Sequence, residues 1–177
     1  MNALQFRAAT MADVDSVVAL VESAYRGEVS RQGWTTEADF LDGRRTGSDD
    51  VTACIERADS VLLLAEQAGV LLACAHVAIE DGAGYFGMFS VRPHQQGLGI
   101  GSHVLTEAER IVRDQWGLSM MRMTVIDLRD ELIAYYERRG YYRTGIHKPF
   151  PYGDARFGIP TRDDLRFEVL EKALVHG

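Results

Sequence analysis

The sequence predicts a mixed α/β fold: a central, mostly antiparallel sheet of about six to seven strands flanked by helices. Three observations lead there. Segments 61–66, 70–79 and 84–91 are rich in β-branched and apolar residues, and the turn-forming stretches Gln67-Ala-Gly and Glu80-Asp-Gly-Ala-Gly separate them, which is the pattern of an antiparallel meander. Segments near 100–116 and 130–139 carry apolar residues at helical spacing. From residue 84 onward the order strand, glycine turn, helix, strand, helix resembles an α/β unit, and a mixed sheet covered by helices buries both kinds of apolar face.

Each element has a local cause. Residues 4–8 read as a first strand, and Thr10 can cap a helix over 11–27 with Val14, Val17, Val18, Val21 and Ala24 on one face. Thr36-x-x-Asp39 resembles a capping box for a short second helix ending near Gly43, and Ser48 can cap a third over 49–58. After the meander, Ile100, Val104, Ala108, Ile111, Val112 and Trp116 make one stripe, stopped at Gly117. A strand over 120–126, a helix over 130–139 ended by Gly140, and closing strands over 141–144 and 165–170 complete the set, with a Pro- and Gly-containing loop over 147–164. No internal repeat or linker divides the 177 residues, so residues 1–177 are expected to form a single domain.

Composition narrows the function. With 46% hydrophobic and 25% charged residues the chain is of ordinary globular type. Its net charge of -7 argues against a nucleic-acid binder but not against a small anionic ligand, which responds to local donors. Cys54 and Cys74 lie in apolar surroundings without metal-ligand spacing, and no metal is expected. The N-terminal MNALQFRAATMADVDS lacks a signal architecture, and no apolar run approaches the ~20 residues of a membrane span. A cytoplasmic location with no membrane partner is the expectation; a homodimer is compatible with the sequence.

The most informative stretch is Val91-Arg-Pro-His-Gln-Gln-Gly-Leu-Gly-Ile-Gly-Ser102, where Gly97, Gly99 and Gly101 stand between a strand and a helix. Without a Cβ, main-chain N–H groups there can approach a ligand closely, and they open a helix whose first N–H groups are unpaired and whose dipole favours an anion. That is a phosphate cradle needing no lysine, unless the glycines only make a tight turn. A Walker loop would continue Gly-Lys-Ser/Thr, whereas Gly101 is followed by Ser-His-Val. A dinucleotide fingerprint needs a glycine where Ser102 stands, and the preceding meander fits a Rossmann unit poorly.

Gln96-Gly97-Leu98-Gly99-Ile100-Gly101 resembles motif A of the GNAT superfamily of acetyl-CoA-dependent N-acetyltransferases, Gln/Arg-x-x-Gly-x-Gly/Ala. Phe89-Ser-Val-Arg-Pro93 is similar to the strand that leads into it. Leu132-Ile-Ala-Tyr-Tyr-Glu-Arg-Arg-Gly-Tyr141 is similar to motif B, a helix ending Tyr-Glu-Lys-x-Gly-Phe/Tyr. The resemblance runs through the chain in order of elements. It implies acetyl-CoA as cosubstrate, an amine acceptor, and a coenzyme A pyrophosphate held by Gln96, Gly97, Leu98, Gly99, Ile100, Gly101 and Ser102. It implies a pantetheine arm lying against Phe89, Ser90 and Val91 as an added strand would. Motif B often has an Asn seven residues before its tyrosine; Arg129 stands there, able to meet a cofactor phosphate, to meet an acidic acceptor, or to sit solvated at a helix start.

The resemblance makes Tyr136 the group that assists the departing thiolate, with a core tyrosine as the alternative because Leu132, Ile133 and Tyr136 share a helical face. A tyrosine near pKa ~10 and a thiol near ~8.5 make full proton transfer uphill by roughly 2 kcal/mol, so a hydrogen bond to the thiolate is the minimum role. Tyr135 is expected to point elsewhere. No acid occurs in 85–91, where some family members carry a base. Glu28, Glu37, Glu80, Asp81 and His147 stay open as water-linked bases, and His76 reads as a satisfied core residue. Trp34, Phe150, Tyr152 and Phe157 are aromatic candidates for the acceptor site or for packing. A small amine or amino-acid-like acceptor suits such walls; a protein N-terminus or lysine, and a non-catalytic acyl-CoA-binding module, are the alternatives.

Overall fold

The computed structural model describes residues 3–25, 41–42, 47–95, 99–150, 152, 159–160 and 163–175. In chain order these form β1 (Gln5–Ala8), a 3₁₀ turn (Met11–Asp13), α1 (Val14–Tyr25), β2 (Leu41–Asp42) and α2 (Ser48–Glu56). The meander follows as β3 (Ser60–Gln67), β4 (Val70–Glu80) and β5 (Ala83–Val91). Then come α3 (Ile100–Arg110), β6 (Met120–Ile126), α4 (Asp130–Glu137), β7 (Tyr142–Pro149), β8 (Ile159–Pro160) and β9 (Arg166–Ala173). Seven strands make one sheet in the order β1-β3-β4-β5-β6-β9-β7, and β2 pairs with β8 apart from it. Every neighbouring pair is antiparallel except β5 with β6.

Two helices cover each face. The apolar stripe of α1 (Val14, Val17, Leu20, Val21, Ala24) and Val51 of α2 pack on Leu62, Leu64 and Cys74. On the other side Ile100, Val104, Leu105 and Ala108 of α3 meet Leu132, Ile133, Tyr135 and Tyr136 of α4 over Leu63, Ala73, Ala75, Val77, Phe86 and Phe89. Alternation along each strand sends successive side chains to opposite layers, so β3 and β4 are apolar on both faces and read as nearly continuous hydrophobic runs. Each fully buried aliphatic contributes roughly 1.5–3 kcal/mol relative to exposure.

Several boundaries differ from the sequence expectation. The start of the first helix is a 3₁₀ turn, with the Asp13 carboxylate accepting the Thr10 N–H at 2.8 Å. The Arg7 guanidinium grips the same carboxylate at 2.7 and 2.8 Å and holds it well below the usual carboxylate range. Gly47, not Ser48, is the N-cap of α2, and its N–H lies 3.3 Å from the Asp50 carboxylate. Residues 41–42 pair as a strand where the end of a short helix was expected; residues 36–40 lie outside the described residues. β7 runs on to Pro149, because a register shift between Arg143 and His147 lets the strand continue past Gly145. The long helix loosens after Arg110 into a π turn, Ile111–Gln115, with the Trp116 N–H bonded to the Ile111 carbonyl.

That π turn seats the helix on β5. A Cβ at Gly84 would lie 2.5 Å from Val112 Cγ2 and 2.7 Å from Cγ1, so Val112 occupies the place of a side chain. Gly84 is also where β5 first pairs with β6. Gly84→Ala is therefore expected to cost about 1–3 kcal/mol through overpacking, read as a lower urea midpoint at unchanged slope. A shift of less than about 0.5 kcal/mol would contradict this contact.

Candidate active site

The site begins where two strands part. β5 and β6 are paired only at Gly84–Met121 and Tyr85–Arg122. Beyond that, β6 continues beside β9 as far as Ile126, while β5 continues beside β4 as far as Val91. Among the described residues no strand lies against 86–91 on the β6 side, which leaves a wedge-shaped gap in the sheet. A bulge sharpens the divergence. Cys74 faces Ser90 and His76 faces Gly87, so Met88 and Phe89 together oppose Ala75, with Met88 at φ +52°. Such a bulge bends its strand and re-aims its main chain.

At the end of β5 the chain passes through the glycine stretch into α3. Gly99 is the N-cap residue at φ +83°, a left-handed conformation in which a Cβ is disfavoured, and no atom lies within 4 Å of where that Cβ would point. Gly101 is required for a different reason. A Cβ there would lie 2.9 Å from Phe89 Cζ and 2.9 Å from the Tyr135 hydroxyl. The first N–H groups of α3 thus emerge beside β5 with the helix dipole behind them.

α4 brings its aromatics to the same place. Tyr135 and Tyr136 are both buried, with ring centroids 6.5 and 6.4 Å from that of Phe89. Tyr136 is also in edge contact with Tyr135 at 5.5 Å and Tyr141 at 5.9 Å. The Tyr141 hydroxyl donates to buried Glu109 at 2.8 Å, and burial followed by that neighbouring charge pushes the phenol far above its ordinary range. A parted strand, a left-handed glycine cap and a tyrosine-bearing helix meet at one point of the sheet.

Residues 19–141 match the family described as acetyltransferase (GNAT). The chain belongs to the GNAT acetyltransferase family. Solved structures agree in fold. The ribosomal-protein-S18-alanine N-acetyltransferase from Escherichia coli shares 11% identity at a TM-score of 0.71, covering 99% of this chain and 96% of that one. A putative phosphinothricin N-acetyltransferase shares 18% at 0.70, covering 98% and 100%. A putative acetyltransferase from Salmonella typhimurium, solved with its cofactor acetyl-CoA, shares 17% at 0.70, covering 99% and 96%. No curated protein matches the sequence. As a GNAT acetyltransferase the protein is an acyltransferase.

In this GNAT acetyltransferase Phe89, Ser90 and Val91 lie on the β5 segment bordering the gap, all buried. Gly99, Ile100, Gly101 and Ser102 form the start of α3; Gln96, Gly97 and Leu98 lie outside the described residues. Arg129 is the N-cap of α4 and is 8% exposed, so the solvated reading does not hold. Phe150 is buried against Phe167, Leu165 and Ile126, whereas Tyr152, packed on Phe150 at 5.2 Å, is 44% exposed and accepts the Leu165 N–H at 2.7 Å. Trp34 and Phe157, with Glu28 and Glu37, lie outside the described residues. Glu80 and Asp81 sit at the hairpin end of β5, the opposite end from the one that runs into the start of α3. His147 stands 3.5 Å from Glu168 and 3.9 Å from Asp127, in an ionic cluster with Arg143 and Arg166. Among the described residues no group of three or more His, Cys, Asp or Glu is placed to hold a metal ion. No helix there is long and apolar enough to cross a membrane.

Two features escaped the sequence reading. Tyr135 does not point elsewhere: its hydroxyl abuts Gly101, and its ring carries Arg139, whose guanidinium carbon is 3.5 Å from the ring centroid. Arg139 in turn reaches Ser102, donating to its hydroxyl from Nε at 2.9 Å and Nη2 at 2.6 Å. The i, i+4 spacing of Tyr135 and Arg139 was the available signal.

His76 also departs from expectation. It is buried, but its Nε2 has no hydrogen-bond partner among the described residues. Burial first, then the Arg57 charge, holds its imidazole down to about 4, against the opposing effect of a hydrogen bond from the ring to the Cys54 main chain. Its folded value is below the unfolded one near 6.5, so between those values the unfolded chain binds more protons, and stability falls as pH drops through that window. Between pH 7 and 5 the wild type should lose about 1–2 kcal/mol that a His76→Leu variant does not lose. Urea titrations at the two pH values check this, and equal losses in both proteins would refute it.

Proposed function

We propose that this protein transfers an acetyl group from acetyl-CoA to the amine of a small or amino-acid-like acceptor, acting as a single domain. The observation that carries the reading is the divergence of β5 from β6 after Tyr85, with β5 then running into the glycine turn. An extended pantetheine arm fits beside 89–91 as a strand would, and a diphosphate fits the main-chain donors at 99–102 with Gln96, Gly97 and Leu98. Both readings of the glycines as Walker or dinucleotide loops lack the residues those loops need. The structure solved with acetyl-CoA supports the cosubstrate by likeness of fold.

The chemistry asks three things of this chain. The acceptor must arrive as a neutral amine, its proton leaving through water. The thioester carbonyl must be polarised, a role assigned to the main chain of the β5 bulge around Met88–Phe89. The amine nitrogen then bonds to the carbonyl carbon and gives its extra proton to water, the C–S bond breaks, and the sulfur leaves with the electron pair as a thiolate that solvent protonates. Tyr136, packed on Phe89 at the same gap, is assigned to donate its O–H hydrogen bond to that sulfur. Buried Arg129 is assigned to the coenzyme side or to an acidic acceptor. The small-acceptor preference draws support from exposed Tyr152 standing on the Phe150 cluster, and from a putative phosphinothricin N-acetyltransferase and a spermidine N-acetyltransferase chimera that are similar in fold. Trp34 is assigned to the same acceptor wall.

Coenzyme A release, followed with a panel of small amines, amino acids and peptides, tests the activity. Turnover with small amines supports the proposal; turnover with peptides alone favours a protein acetyltransferase, and acetyl-CoA binding without any turnover favours a binding module. Tyr136→Phe tests the mechanism. The ring packing stays, so stability should change little, while kcat should drop about 10²–10⁴-fold at unchanged acetyl-CoA affinity. Retention of more than about half of kcat, with chemistry rate-limiting, would leave Tyr136 as packing.

A further inference from the structure

We infer that Arg139 is a positioning residue that commits the Ser102 hydroxyl to donating, and so makes the mouth of the glycine turn selective for an anionic diphosphate. The inference rests on the cradle reading given above. A serine hydroxyl has one O–H to give and two lone pairs to receive. Arg139 Nε and Nη2 both donate to Ser102 Oγ, at 2.9 and 2.6 Å, a fork that converges on the oxygen from one side and leaves its O–H to point away from the guanidinium. A guanidinium has no lone pair to accept in return. Ser102 Oγ makes no other hydrogen bond among the described residues, so its O–H is left for an acceptor outside them. A hydroxyl that already accepts from a cation and has its O–H turned outward favours an acceptor-rich anion.

The guanidinium is held in that pose from three sides. Its Nη1 donates to the Tyr135 carbonyl at 2.9 Å, and its plane lies on the Tyr135 ring at 3.5 Å. The hydroxyl of that ring abuts Gly101, one residue before Ser102. Gly101, Tyr135, Arg139 and Ser102 thus close a loop between the N-terminus of α3 and the C-terminus of α4. Arg139 takes part in no ion pair among the described residues, so its charge is not cancelled by a neighbouring carboxylate. The groove beside it, ≈ 450 Å³, is lined further by Thr106, Arg138 and Lys172, and the one acid there, Glu109, already accepts from Lys172 at 3.0 Å and from Tyr141 at 2.8 Å. A lysine at 139 would keep the charge but lose the planar fork that orients the hydroxyl.

Calorimetric titration of coenzyme A and of inorganic pyrophosphate into wild type, Arg139→Gln, Arg139→Lys, Ser102→Ala and the Arg139→Gln/Ser102→Ala double variant tests this. Arg139→Gln should weaken both ligands by about tenfold or more, and Arg139→Lys should not restore them. The double variant should bind no more weakly than Ser102→Ala alone, because the arginine acts through the hydroxyl. In turnover the loss should appear in the KM for acetyl-CoA, with kcat at saturation changing less than about twofold. A merely structural Arg139 would move the unfolding midpoint and leave that split untouched. Ser102→Ala, which leaves the arginine on its tyrosine, serves if the Arg139 variants unfold, and should weaken pyrophosphate on its own. Unchanged binding in folded variants, or additive losses, overturns the inference while leaving the acetyltransferase reading intact. Failure of the wild type to bind either ligand overturns both.

Discussion

A parallel strand pair normally carries evenly spaced hydrogen bonds along its length, and β5 with β6 abandons that after two residues. Main-chain donors and acceptors withdrawn from water are costly when unpaired, so a sheet does not open at its centre without structural support. Here the support is steric. Val112 fills the space above Gly84 and pins β5 where the pairing starts, and the extra residue at Met88–Phe89 bends the strand beyond it. β9 takes the other side of β6, so β6 holds its course while β5 diverges. The gap is thereby built into the sheet, and the elements of the proposed site are arranged around it.

The packing on the α3–α4 face explains why the gap keeps its shape. Phe86 and Phe89 project from β5 into an aromatic cluster with Tyr135, Tyr136 and Tyr141, with neighbouring centroids 5.2–6.5 Å apart. Aromatic pairs at such tilted and edge geometries contribute about 0.5–1.5 kcal/mol each beyond burial. One helix therefore does two things. Its Tyr136 faces the diverging strand, and its last turn reaches across to the first turn of α3 through Arg139. Glu109, Tyr141 and Lys172 tie α3 to the chain after α4 and to β9 on the same side.

Much of this was legible in the chain because it follows from periodicity. The meander, the stripe from Ile100 to Val112 and the helix carrying Tyr136 are strong patterns of period two or 3.6, and the structure has them within a few residues. The two motifs assign Gly99, Gly101 and Tyr136 to one site; in the structure a side chain at Gly101 would meet Phe89 and Tyr135, and Tyr136 packs on that same Phe89. What was illegible depends on partners distant in sequence. The end of β7 at Pro149 is set by its pairing with β9, and nothing in Thr144–His147 alone announces a strand that resumes after a register shift. The cap of α2 fell on Gly47 because Asp50 could reach its N–H, a competition that Ser48 would have won by propensity alone. Arg139 reads as an ordinary helix-end cation until Ser102 is seen beneath it.

The central claim is that the parted edge of β5 and the start of α3 together receive one extended, anionic-ended ligand. Amide hydrogen exchange read at single-residue resolution, with and without coenzyme A, tests it most directly. The account predicts that coenzyme A slows exchange at Phe89–Val91 and at residues 99–102 together, while the amides of β3 and β1 keep their rates. Protection confined to α3, or appearing only on strands away from the gap, would contradict it.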